Sequence, residues 1–312
     1  MNKKVIIALG GNALIKDHQK GEIYEQFANT RTISKSIVKI IKEDYNVVIT
    51  HGNGPQVGSI LLQNNAARDK IPPMPLGICV AESEGLIGYM IQQCMYNELK
   101  KIKIDKDIVT IITQVLVDKN DNSLLNLNKP IGPYFNKYEA KELIEDGYKV
   151  KEYFNGWRIV VPSPDPKKII EGEIIKKLID DGIIVIAAGG GGMPVINNDS
   201  KLDGIEAVVD KDLASECLAE SIKADILMIL TNVDQVYLNY NKSNQKGINK
   251  ISLKQIKKYY NEGYFPEGSM GPKILAAIRF LEYGGEKVII SNIEKAWEAI
   301  NEKIGTYITK DE

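Results

Sequence analysis

The chain has 312 residues, 44% of them hydrophobic, which is enough for a sizeable core and about two domains by length. Its 40 basic and 41 acidic residues nearly cancel, so no global field favours nucleic acid or a membrane. No apolar run nears the ~20 residues that span a bilayer, the first residues do not read as a signal peptide, and Cys79, Cys94 and Cys217 are too scattered for a disulfide framework or a zinc site, so a soluble cytoplasmic protein is expected.

Five consecutive apolar residues, Val5-Ile6-Ile7-Ala8-Leu9, predict a strand buried on both faces, as in a parallel sheet. Gly10 and Gly11 break it and Asn12 follows. Glycine lets a backbone approach a ligand closely, and ligands of open α/β sheets sit beyond the carboxyl ends of the strands. Backbone N–H groups of Gly10-Gly11-Asn12 are therefore placed to hold a phosphate or another small anion. A lone Gly-Gly is more ordinarily a tight turn, so the weight rests on repetition. Ile33, Ile37, Ile40 and Ile41 predict a helix over 24–42. A second strand, 47–50, ends in His51-Gly52-Asn53-Gly54-Pro55, and a helix over 56–68 follows.

Prolines 72, 73 and 75 interrupt the pattern, and Leu86, Ile87, Met90, Ile91 and Met95 predict a helix over 84–100. Residues 107–117, rich in β-branched side chains, read as one strong strand. Strands alternating with helices of this length indicate βαβ units with right-handed crossovers. From 118 to 166 the rhythm fails, which predicts a small inserted subdomain with a charged helix over 137–146. Its marked residue is Lys129, in Lys129-Pro130-Ile131-Gly132-Pro133, although a lysine beside a proline is ordinarily just solvated.

The alternation resumes with a helix over 169–180 and a strand over 183–188 that runs into Gly189-Gly190-Gly191-Gly192. Three strands ending in glycine loops are expected to converge at one edge of one sheet. Residues 199–209 look irregular and 211–223 helical. A buried strand, 226–230, precedes Thr231-Asn232-Val233-Asp234. Helices over 252–260 and 274–283 and a final strand over 287–290 complete the pass.

Lys211 and Lys273 each stand in the first turn of a predicted helix, where the helix dipole disfavours a cation by several tenths of a kcal/mol. Two such lysines beside sheet-edge loops point to a strong anion. Of the carboxylates flanking Lys211, Asp212 reads as the helix cap and Asp210 as the group that holds the lysines. The Gly-x4-Gly-Lys-Ser/Thr loop, the dinucleotide spacing, the Gly-x-Ser-x-Gly elbow and a histidine metal pair are all missing from the sequence. Phosphoryl transfer needs mainly positioning and charge stabilisation, which amides, lysines and a metal supply.

These motifs, with Gly156-Trp157-Arg158, Val161-Pro162-Ser163-Pro164, the run 204–214 and Gly268-Ser269-Met270-Gly271-Pro272-Lys273, occur in an order that resembles the carbamate kinases of the amino-acid kinase family, from about residue 5 to about 290. The resemblance implies an α/β fold, an αβα sandwich on a mainly parallel central sheet with the small insertion. Residues 1–200, including the insertion at about 118–166, would bind carbamate or carbamoyl phosphate, and 201–312 would bind ATP or ADP. Gly10, Gly11, Asn12, Gly52, Asn53 and Gly54 would contact the carbamoyl and transferred phosphoryl groups. Lys129, Lys211 and Lys273 would neutralise phosphate oxygens, with Asp210 organising them. Gly189, Gly190, Thr231, Asn232, Val233, Tyr237, Met270 and Lys273 would lie on the nucleotide side.

Many relatives carry a lysine in the first strand, where this chain has Ala8; the resemblance assigns the missing cation to Lys129. It further implies Mg²⁺ carried mainly by the nucleotide phosphates, a homodimer, and reversible transfer between ATP and carbamate, often run toward ATP in fermentation of arginine or other carbamoyl compounds. Two alternatives stand beside it. One is an amino-acid kinase acting on an acyl carboxylate such as N-acetylglutamate, and the other a non-catalytic nucleotide sensor.

Overall fold

The computed structural model describes residues 2–11, 14–16 and 19–310, so Asn12, expected at the first anion-binding turn, lies outside the described residues. The expected parallel sheet is present. Eight strands lie in the order Lys250–Ser252, Thr306–Thr309, Lys287–Asn292, Ile226–Thr231, Lys4–Leu9, Asn46–His51, Ile184–Ile186 and Ile108–Thr110. Every neighbouring pair is parallel except Lys287–Asn292 with Thr306–Thr309.

Side chains alternate across a strand, so one apolar run feeds two cores. Ile6, Ala8, Leu227 and Ile229 face a core shared with the helices Gly172–Asp180, Lys211–Ile222 and Met270–Glu282. Val5, Ile7, Leu9, Met228 and Leu230 face the opposite core, shared with the helices Ile23–Lys42 and Leu76–Lys101. This is the expected αβα sandwich. No helix among the described residues is long and apolar enough to cross a membrane.

Several local expectations are corrected. The continuous β-branched run over 107–117 is two strands, Ile108–Thr110 at the sheet edge and Gln114–Val117 in a second sheet. The chain leaves the main sheet at Thr113, whose N–H donates to Glu84 Oε2 at 2.9 Å and whose carbonyl accepts from Met193 N at 2.8 Å. The second sheet is completed by Met193–Asn198, Lys201–Gly204 and Pro166–Ile169, so 199–209 is not wholly irregular and the helix begins at Gly172. The helix expected from 84 begins at Leu76, because Pro75 cannot continue a helix backwards and Glu206 Oε2 accepts from Leu76 N at 2.8 Å. The strand at 287 is not the last; Thr306–Thr309 returns antiparallel beside it.

Within 118–166, the strands Lys129–Phe135, Gly156–Val161 and Val150–Tyr153 form a separate antiparallel sheet packed by the helix Lys137–Glu145. This small sheet is seated on the helix Gly54–Ala66. A Cβ at Gly58 would stand 2.1 Å from Gly132 Cα, so no side chain fits between helix and strand. That contact places the strand beginning at Lys129 beside the mouth of the main sheet.

Candidate active site

Sheet register brings the glycine loops to one level, because Leu9 pairs with His51 on one side and Leu230 on the other. Gly10 N donates to Leu230 O at 3.0 Å, and Gly52 N donates to Leu9 O at 3.1 Å. The loops then touch backbone to backbone: a Cβ on Gly52 would lie 3.0 Å from Gly11 Cα, and one on Gly10 would lie 3.0 Å from Leu230 O. Gly54 opens the helix Gly54–Ala66, and Pro130 O of the small sheet stands 3.8 Å from the place of its missing Cβ.

All three lysines converge here. Lys129 Nζ lies 2.5 Å from Asp210 Oδ2. Asp212 bridges the other two, with Lys211 Nζ at 2.8 Å from Oδ1 and Lys273 Nζ at 2.9 Å from Oδ2. Lys211 Nζ also donates to Ala8 O at 3.3 Å, so an ammonium group does stand at the end of the first strand, delivered from another element.

The expected division of labour between the two aspartates holds only in part. Asp210 caps the helix, its Oδ1 accepting from Asp212 N at 2.9 Å, and it also holds Lys129. Residue 210 has the extended backbone of an N-cap (φ −70°, ψ 125°), which swings its carboxylate over the following amides. Asp212 is already helical, only 2% exposed, and the true hub of Lys211 and Lys273. Its sequence signal was the Asp-Lys-Asp spacing itself, which places two carboxylates at one helix start without saying which turns inward.

The electrostatics follow from burial against charge. Burial would raise both carboxyls, but Lys129 and Lys273 around Asp210, and Lys211 and Lys273 around Asp212, outweigh it and hold both below the usual carboxylate range. Burial pulls Lys211 down, with Asp212 offsetting part of the loss. Lys273 is buried too, yet Asp212 and Asp210 lift it above an ordinary lysine. Three cations share two carboxylates, so positive charge is held in reserve for an anion. His51, beneath the second loop, is pushed down to about 4 by burial and is neutral at pH 7.

On the far side of the glycine turn a cavity of about 360 Å³ is lined by Thr231, Asn232, Val233, Tyr237, Met270 and Lys273, together with Gly10 and Gly11. Tyr240, Tyr264 and Phe265, which sequence reasoning missed, complete its apolar wall. Gly189 and Gly190 do not line it. A Cβ on Gly189 would lie 2.5 Å from His51 Nε2, and one on Gly190, with φ +64°, 2.1 Å from Asn53 Nδ2. Both glycines therefore pack against the second loop.

The amino acid kinase family profile matches residues 3–292. A carbamate kinase of Pyrococcus furiosus is 53% identical over 312 residues, which are 99% of this chain and 99% of the relative. Two solved structures of Giardia lamblia carbamate kinase, one bound to citric acid and one to AMP-PNP, match with TM-scores of 0.95 and 0.92. Both are 43% identical and cover 99% of each chain.

Proposed function

The chain belongs to the amino acid kinase family, and from that premise we propose that it is a carbamate kinase, catalysing ATP + carbamate ⇌ ADP + carbamoyl phosphate. The observation that carries this reading is the gathering of Lys129, Lys211 and Lys273 about Asp210 and Asp212 at the mouth of the glycine loops.

Carbamate is an anion at neutral pH, so its oxygen attacks the γ-phosphorus without a general base. One P–O bond forms as the bond to the β-phosphate oxygen breaks, and ADP leaves. The obstacle is repulsion among anions. Gly10 and Gly52 spend their own N–H groups on Leu230 O and Leu9 O and serve by close backbone approach, which leaves the amides of Gly11 and Gly54 to donate to the carbamoyl and transferred phosphoryl groups. An ammonium has three N–H donors, so each lysine keeps capacity for phosphate oxygen beyond its aspartate. Each well-placed donor lowers the barrier by about 3 kcal/mol. Thr231, Asn232, Val233, Tyr237 and Met270 face the nucleoside, and Lys273 stands where nucleotide and phosphoryl sites meet.

Among the described residues no three of His, Cys, Asp and Glu gather to hold a metal ion. The family resemblance assigns Mg²⁺ to the phosphate oxygens of ATP or ADP, where it would offset their charge. The physiological direction is ATP synthesis in the cytoplasm, at the end of a fermentation of arginine or another carbamoyl compound. Two copies associate, with the exposed Tyr89 and Tyr96 of the helix Leu76–Lys101 offering apolar surface.

The deciding experiment is ATP formation from ADP and carbamoyl phosphate by the purified chain, followed by a panel of acceptors. Rapid ATP formation is expected. Faster phosphorylation of N-acetylglutamate than of carbamate overturns the substrate, and no turnover at all favours a nucleotide sensor.

A further inference from the structure

The loop that holds the carbamoyl side is itself held from behind, by two consecutive residues of the helix Leu76–Lys101. Asn53 is the N-cap of the helix Gly54–Ala66, yet its side chain makes no capping hydrogen bond. An asparagine at this position normally turns its oxygen over the first amides of the helix. Here Asn53 Nδ2 donates instead to Ser83 Oγ at 2.8 Å, and Ser83 Oγ donates to Val80 O at 2.6 Å. Asn53 is turned away, and the helix start is left open to a ligand.

The adjacent residue fixes the surface against which Asn53 is turned. Glu84, 1% exposed, accepts from Thr113 N through Oε2 at 2.9 Å. Thr113 Oγ1 accepts from Ala188 N at 2.9 Å, and Thr113 O accepts from Met193 N at 2.8 Å. One threonine thus clamps both ends of the glycine loop Gly189–Gly192, whose entry residue Ala188 sits at φ +49°. Gly190 of that loop leaves the space that the Asn53 amide fills.

We propose that Ser83 and Glu84 are positioning residues for the carbamoyl side. Ser83 keeps Asn53 from capping the helix that faces the substrate, and Glu84, through Thr113, holds the loop that Asn53 leans on. The inference rests on the reading of Gly52–Gly54 as part of the carbamoyl cradle. Neither side chain touches substrate. Glu84 works through an acceptor oxygen: Oε2 takes the Thr113 N–H, burial drives the carboxyl well above the usual range despite that bond, and Oε1 has no hydrogen-bond partner among the described residues.

The test is steady-state ATP formation by Ser83→Ala, Glu84→Ala and Glu84→Gln in the full chain. It is paired with amide hydrogen exchange over residues 50–56 and 187–193. Ser83→Ala and Glu84→Ala are expected to raise KM for carbamoyl phosphate about fivefold and to leave KM for ADP within about twofold. Exchange in both segments should quicken about tenfold in Glu84→Ala, while the strand Ile226–Thr231 is unchanged. Glu84→Gln, which keeps the acceptor, should return every readout to near wild type. Parallel rises in both KM values, unchanged exchange, or a Glu84→Gln variant as impaired as Glu84→Ala each overturn the proposal. If Glu84→Ala does not fold, Ser83→Ala and Glu84→Gln decide it alone. A wild-type chain that makes no ATP defeats the carbamate kinase reading, and the exchange arms still judge the positioning.

Discussion

The two halves of the site are built by opposite means. On the side proposed for the carbamoyl group, backbone meets backbone: Gly52 and Gly11 approach so closely that a Cβ would sit 3.0 Å from the neighbouring Cα. On the side proposed for the nucleotide, tyrosines, Phe265 and Met270 wall an open cavity of about 360 Å³. A small trigonal anion presents oxygens at fixed spacing, so amides locked in place recognise it, and any added side chain intrudes. A nucleoside presents a broad apolar face, which large side chains cover while tolerating variation. The halves meet at Asp212, whose two oxygens hold one lysine beneath the first strand and another at the start of the helix Met270–Glu282.

The sharpest way to break this contrast is Asp212→Asn, which keeps the shape and removes the shared charge. Removing one partner of a buried ion pair costs about 3–5 kcal/mol of stability, and because two charge-stabilising lysines lose their anchor, turnover is expected to fall ~10³-fold, with KM rising for both substrates. A rise confined to one substrate means that Asp212 belongs to one half only. Stability carries the same signature. The folded carboxyl lies below its unfolded value of ~3.9, so its contribution is fully present above that value and is lost as pH falls through the folded one. The gap in Tm between wild type and Asp212→Asn should persist from neutrality to about pH 4 and close only in stronger acid.

Lys129→Ala addresses the carbamoyl side alone, because this lysine arrives on the separate small sheet and does not line the nucleotide cavity. Turnover is expected to drop ~10²-fold, with ADP affinity by calorimetry unchanged. Weakened ADP binding would show that the two halves are not independent.

Both halves were legible in the sequence to different depths. Strand ends followed by glycine declare themselves, because an apolar run that stops at Gly10 or Gly52 has few other structural meanings. The roles of Asp210 and Asp212 were not legible, since both types cap helices and only the extended backbone of 210 decides between them. The break at Thr113 was hidden in an unbroken β-branched run, because its cause, Glu84, lies far away in sequence. Gly189 and Gly190 carried a glycine signal with two readings: close contact with His51 at 189, and positive φ with contact to Asn53 at 190, mark support for a loop as readily as contact with a phosphate. Tyr264 and Phe265 looked like ordinary aromatics until the chain brought them to the cavity wall.

Tyr237→Ala tests the nucleotide side by the opposite selectivity. Tyr237 packs its ring 5.9 Å from that of Tyr240 along the cavity. Its loss should raise KM for ADP about tenfold and leave KM for carbamoyl phosphate unchanged, since one aromatic face contributes about 1–3 kcal/mol against a stacked base. An equal rise in both values would mean that the cavity wall also shapes the glycine loops.

The smallest effect concerns the charge on Lys211, which lies under both halves. Burial lowers its ammonium below the ordinary lysine value of ~10.4, whereas Asp212 and Asp210 raise Lys273 above it. As pH rises, Lys211 is thus the first of this buried pair to lose its proton. A neutral amine no longer offsets the charge of the incoming phosphoryl group, so the free site loses its pull on carbamoyl phosphate as this proton leaves. With ADP saturating, kcat/KM for carbamoyl phosphate, which reports the free site, should decline along an alkaline limb that sets in below the ordinary lysine value, and KM for ADP should stay flat over the same range. A kcat/KM that holds level to the ordinary lysine value would place Lys211 outside the charge that the reaction uses.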